Sequence, residues 1–171
     1  MGSYTITPNT QVVSGTTLYQ IQANVAFGQV ELGQLGGWIQ AEYNLDQGGT
    51  CWVGDSAIVA GQARVSEDAV VSGSAQVADY ALIYGSAQVY DSAQVYGNSQ
   101  VFGGARVYES AELYESPWVF DQAQIYGSAL VYGSAMIGGT VQVLDQAQVQ
   151  GNANLNGNLI VSGTTQYSAP Q

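Results

Sequence analysis

The stretch that decides the fold runs Ala87-Gln88-Val89-Tyr90-Asp91-Ser92, Ala93-Gln94-Val95-Tyr96-Gly97-Asn98, Ser99-Gln100-Val101-Phe102-Gly103-Gly104, and begins again at Ala105. The same six-residue phrase recurs: small, polar, aliphatic, aromatic, then two turn formers. Side chains on a strand alternate faces, so the small and aliphatic residues of each phrase point one way and the Gln and aromatic residues the other. Gly, Asp, Asn and Ser in the last two places favour tight corners. Each hexad is therefore one short strand and one bend.

Working outward, the aliphatic place can be followed without a break from Val53 to Val161 in steps of six, and all nineteen positions hold Val, Ile or Leu. Four residues after each comes a small residue. These run from Ala57 to Ala111 with only Ser99 breaking the alanines, give way to Pro117, and return at Ala123, Ala129, Ala135, Ala147 and Ala153. A repeat this regular means a solenoid, in which no unit buries its apolar face alone and stacked neighbours form the core. Three strands closing a triangle make an 18-residue coil, so residues 53–160 predict six coils with no insertion.

An aliphatic residue followed four places on by a small one resembles the hexapeptide motif of left-handed β-helix proteins. That resemblance implies a left-handed coil, an exception to the right-handed rule for parallel crossovers. The fold expected is all-β: a left-handed parallel β-helix of about six triangular coils with a small N-terminal β cap.

Before Val53 the hexad rule fails. Thr10–Val13 and Leu18–Gln22 read as strands joined at Ser14-Gly15, and a cap is needed because stacked strands leave an edge that pairs with other chains. The segments Leu18-Tyr19-Gln20-Ile21, Leu35-Gly36-Gly37-Trp38-Ile39 and Cys51-Trp52-Val53 resemble the opening of YdcK-type hexapeptide-repeat proteins of bacteria and phages. Where that family is expected to carry Lys, Arg or Glu, this chain has Gln, Ser or Ala. The predicted organisation is a cap over residues 1–52, a β-helix over 53–161 and a polar C-terminal tail over 162–171.

The chain of 171 residues carries 13 acidic side chains and only two basic ones, Arg64 and Arg106, for a formal net charge of −11. That removes the clustered Lys and Arg that nucleic-acid phosphates require. No apolar run approaches the ~20 residues of a membrane-spanning helix, and the opening Met1-Gly2-Ser3-Tyr4 shows no secretory signal. A surface poor in charge and lacking Lys suits a protease-challenged setting, so a virion or extracellular surface is expected over the cytoplasm. The single Cys51 falls in a small inward place and reads as a buried, inert core residue.

Enzymes of this fold are implied by the resemblance to use His, as general base or zinc ligand, and this chain has none. No paired carboxylates stand at a spacing that suggests general acid–base chemistry. Asp91 and Glu109, 18 residues apart, stack at one corner with Glu112 nearby. They read as solvated turn carboxylates, with calcium the lesser alternative. No catalytic, cofactor or metal residue is assigned, and no cofactor is expected.

Two outward aromatic ladders are predicted, Tyr90, Tyr108 and Tyr126, and Tyr96, Tyr114 and Tyr132. They serve either as cross-strand stacking or as rows for a sugar ring or protein partner. One face alone reads as apolar over several coils, through Leu82, Tyr84, Phe102, Trp118, Phe120 and Met136. Contiguous apolar surface of that kind signals interaction. The functional expectation is a non-enzymatic structural or binding scaffold of a phage virion or cell surface, homo-oligomeric through this face, a trimer by resemblance. The alternatives are an acyltransferase-like enzyme with an intersubunit site and a filament subunit, the latter opposed by the cap.

Overall fold

A computed structural model describes residues 2–168. From Trp52 onward, two- and three-residue strands recur at six-residue intervals, from Trp52–Val53 to Gln166–Ser168. They sort into three parallel sheets, one along each side of the solenoid. Strands pair with a shift of 18 residues, as in Val71 with Val89 and Val89 with Val107 on one side, and Val101 with Val119 on another. The stack amounts to about seven coils, one more than the hexad count predicts.

The nineteen aliphatic residues from Val53 to Val161 are all buried, and so are the small residues between them. The breaks in the alanine column are absorbed: Pro117 and Val141 occupy inward places and are buried, and Ser99 turns its hydroxyl onto the Tyr96 carbonyl. Such a core is only a few side chains wide. Its cohesion comes from close aliphatic contact along the axis together with backbone ladders at every rung.

The corners follow one rule. From residue 55 to residue 163, every sixth residue has positive φ, and each is Gly, Asp or Glu. A Cβ at Gly73 would stand 2.8 Å from the Asp91 backbone nitrogen in the next coil, so glycine there serves both the φ and the close stacking.

At the N-terminal end the parts are irregular. Strand β1 (Tyr4–Val13) pairs antiparallel with β2 (Thr16–Ala23) across the Ser14-Gly15 turn, where both residues have positive φ as a two-residue hairpin turn requires. Strand β2 pairs antiparallel with β3 (Leu35–Ile39). Strand β3 then runs parallel to Ile58–Val59, so the coil has already begun.

The boundaries therefore differ from those read in the sequence. Ile39 pairs with Val59 and Leu45 bridges to Val65, both shifts of 20 residues rather than 18. Two extra residues between Leu45 and Val53 put the first two aliphatic rungs out of frame with the rest and hid them. The expected tail is also shorter than drawn. Gln166–Ser168 form a strand beside Gln148–Gln150, because backbone pairing continues the ladder even where the side chains are polar. Residues 169–171 of that tail lie outside the described residues.

Candidate functional site

The outward place just after each aliphatic residue is aromatic in nine successive hexads: Tyr84, Tyr90, Tyr96, Phe102, Tyr108, Tyr114, Phe120, Tyr126 and Tyr132. Because a coil holds three hexads, these side chains encircle three consecutive coils. The sequence reading found two ladders and one apolar face. Only the three-sided stack joins them into a girdle.

On one side Tyr84 stacks on Phe102 with ring centroids 4.9 Å apart, and Phe102 on Phe120 at 5.4 Å. On the next, Tyr90, Tyr108 and Tyr126 stack at 4.9 Å per step. On the third, Tyr114 and Tyr132 do the same. The spacing matches the separation of paired strands, so the backbone ladder itself sets the rings in contact. Tyr96 departs from the expected ladder. Its hydroxyl lies near Gln94 (2.9 Å) and Gln76 (3.2 Å), toward the preceding coil rather than toward Tyr114. The hydroxyls of Tyr84, Tyr108, Tyr126 and Tyr132 donate onward to Gln100, Gln124, Gln142 and Gln150, Tyr126 to Gln142 at 3.0 Å for example. Partial burial pushes the phenol groups of Tyr84, Tyr90, Tyr96, Tyr108 and Tyr114 above their ordinary value, keeping them neutral donors.

The six residues of the predicted interaction face share one sheet. Leu82, Gln100, Trp118 and Met136 are successive cross-strand partners, and Tyr84, Phe102 and Phe120 form the neighbouring column. Trp118 meets Phe102 edge-on at 6.3 Å and is 41 % exposed; the others are half-buried against one another. The column ends at Gly138, where a Cβ would lie 2.4 Å from the Phe120 ring, so the glycine seats that ring. The 42–47 segment borders a groove with Leu82 and Tyr84 at one end of the face.

The corner carboxylates have a defined task. Asp55, Glu67, Asp79, Asp91, Glu109, Glu115, Asp121 and Asp145 each accept a hydrogen bond from the backbone N–H of the corner residue in the next coil, at 2.7 to 3.2 Å. Asp91 thus accepts from Glu109, and Glu109 from Gly127. Among the described residues no three Asp, Glu, Cys or His side chains converge in a way that would hold a metal ion. Backbone capping of this kind could have been read from the alternation of acid and glycine at 18-residue spacing.

Cys51 is buried, with its thiol directed at the carbonyls of Asp46 and Gly48. Burial, reinforced by the Asp46 charge, raises it to about 11. A thiol so placed is protonated at neutral pH and a poor nucleophile.

No helix is long and apolar enough to cross a membrane among the described residues. Residues 123–139, which include Tyr126, Tyr132 and Gly138, match the family model described as YdcK Beta solenoid repeat. No curated protein matches the chain.

Proposed function

We propose that this YdcK-type β-solenoid repeat protein is a non-enzymatic structural or binding scaffold of the left-handed hexapeptide class, carried on an assembly such as a phage particle or a cell surface. The aromatic girdle carries the reading. It places rings on a rigid stack whose backbone ladder fixes their spacing, and rigid aromatic anchors dominate binding energy at interfaces. The strand at every sixth residue and the 18-residue coil support the hexapeptide class.

The face of Leu82, Tyr84, Phe102, Trp118, Phe120 and Met136 is the proposed contact between copies of the chain, in a trimer by resemblance to other hexapeptide solenoids. A protein or glycan partner is the other occupant it suits. Mass in solution of the wild type and of the Trp118→Ser, Phe120→Ser double variant tests the contact. An oligomer that falls to a monomer in the variant is expected. A monomeric wild type removes the oligomer, and an unchanged oligomer in the variant moves the contact elsewhere. The rival acyltransferase reading predicts turnover of an acyl-coenzyme A donor that a single substitution abolishes, and that result would overturn the scaffold.

A further inference from the structure

On a different side of the solenoid, beside the first coil, the loop after β2 leans over the sheet that carries Trp52, Val70, Gln88 and Tyr90 and leaves a groove of about 500 Å³. Phe27 closes one wall, meeting Trp52 edge-on at 5.7 Å. Gly36 admits the indole, since a Cβ there would stand 2.5 Å from it. Trp52 is 4 % exposed, and its Nε1 is the one buried side-chain polar atom with no hydrogen-bond partner among the described residues. Gly54 lines the same groove, and Nε1 lies 3.3 Å from the point its Cβ would occupy, so the orphan donor, itself closed to solvent, lies at the groove wall that Gly54 forms. A buried donor left unpaired is costly and calls for an acceptor.

Two carboxylates flank the opening. Asp68 Oδ1 accepts from the backbone N–H and hydroxyl of Thr50, and Asp55 Oδ2 accepts from the Gly73 N–H. The second oxygen of each is unengaged among the described residues. Among the described residues no basic side chain lines the groove, and with the formal net charge of −11 it repels phosphate or carboxylate ligands. A cation would suit the carboxylates and rings but offers the indole N–H no acceptor. Aromatic walls, open carboxylate acceptors and one buried donor together ask for a neutral ring whose hydroxyls both donate and accept.

We propose that this groove is a binding site for a neutral saccharide, with the Trp52 Nε1–H donating to a sugar hydroxyl that donates in turn to Asp68. This goes beyond the scaffold reading and does not depend on the Trp118 face.

The test follows the Trp52 indole N–H signal in the ¹⁵N-labelled full chain during titration with chitotriose, maltotriose, galactose, choline and inorganic phosphate. Because Trp52→Phe disturbs a buried site, the signal is assigned by elimination with Trp38→Phe and Trp118→Phe. A saturable shift with at least one saccharide at millimolar concentration is expected. The exposed substitution Asp68→Ala should weaken it about tenfold, the scale of one lost hydrogen bond to a charged group. The Trp118→Ser, Phe120→Ser variant should leave it unchanged, which separates this site from the oligomer contact. No shift with any saccharide, a shift with choline or phosphate alone, or undiminished saccharide binding in Asp68→Ala would overturn the proposal.

Discussion

The coils from Val53 to Val161 and the segment before them solve the same problem by opposite means. In the coils no single residue is special. Each rung repeats an aliphatic side chain, a small one, a positive-φ corner and a backbone ladder, so most contacts of one coil have equivalents in the others. In the entry segment, single side chains replace repetition. The buried Tyr4 hydroxyl reaches the carbonyls of Glu42 (3.0 Å) and Leu45 (2.8 Å). Asn44, also buried, accepts from the Ala41 N–H at 2.8 Å and donates to the carbonyls of Ala63 (2.8 Å) and Gly61 (3.2 Å), tying the short 3-10 turn Glu42–Asn44 onto the first coil. Repetition distributes stability over many equivalent contacts; an irregular end concentrates it in a few hydrogen bonds that have no substitutes.

The largest test of that contrast is Val107→Asp in the middle of the stack. An unpaired carboxylate in a fully buried place should cost more than about 4 kcal/mol, and because coils stabilise their neighbours, several should open together. Thermal unfolding with hydrogen exchange measures both, and wild-type stability in this variant would show the inward register to be wrong. Asn44→Ala should cost about 2 kcal/mol by leaving the Ala41 N–H and the Ala63 carbonyl unpaired, while the Gly61 carbonyl keeps the Tyr43 hydroxyl. Its exchange should rise over residues 39–65 while the aromatic coils stay protected. Uniform loss of protection would mean that the entry segment and the coils fold as one cooperative unit.

Cys51 lies at the join between the two regions and gives a smaller effect with a definite sign. Its thiol is raised from the ordinary 9.0 to about 11, so the stabilisation it lends is whole below pH about 9 and is lost as pH rises through about 11. Tyr4, raised by burial, shifts the balance in the same direction. Cys51→Ala, which installs the residue usual in that column, should fold normally and be less sensitive to alkali by about 2 kcal/mol. Equal alkaline loss in both proteins would place the titration elsewhere. In native protein at neutral pH the thiol should also resist alkylating reagents until denaturant is added.

The smallest expected effect is at a corner. Glu109→Gly relieves a positive φ of 58° and forfeits the hydrogen bond from the Gly127 N–H. These oppose each other, so the net change should stay within about 1 kcal/mol. A larger loss would mean that corner carboxylates are essential to the stack rather than interchangeable with glycine.

The sequence by itself determined the solenoid, its six-residue strand period, the nineteen buried aliphatics of the column from Val53 to Val161, and the residues of the Trp118 face. It could do so because inward and outward places alternate and each place selects its own side chains: only Val, Ile or Leu fills the long inward position, and from Ala57 to Ala153 only a small residue, a proline or a valine the short one. Three things were settled by tertiary structure alone. Where the coils begin depended on a two-residue insertion after Leu45, which breaks periodicity without breaking backbone pairing. That the tyrosines and phenylalanines form one girdle depended on three sheets closing, since residues six apart in sequence lie on different sides and only those 18 apart touch. The Trp52 groove depended on how the loop after β2 lies against the first coil, and such a contact between an irregular segment and a regular one leaves no period to read.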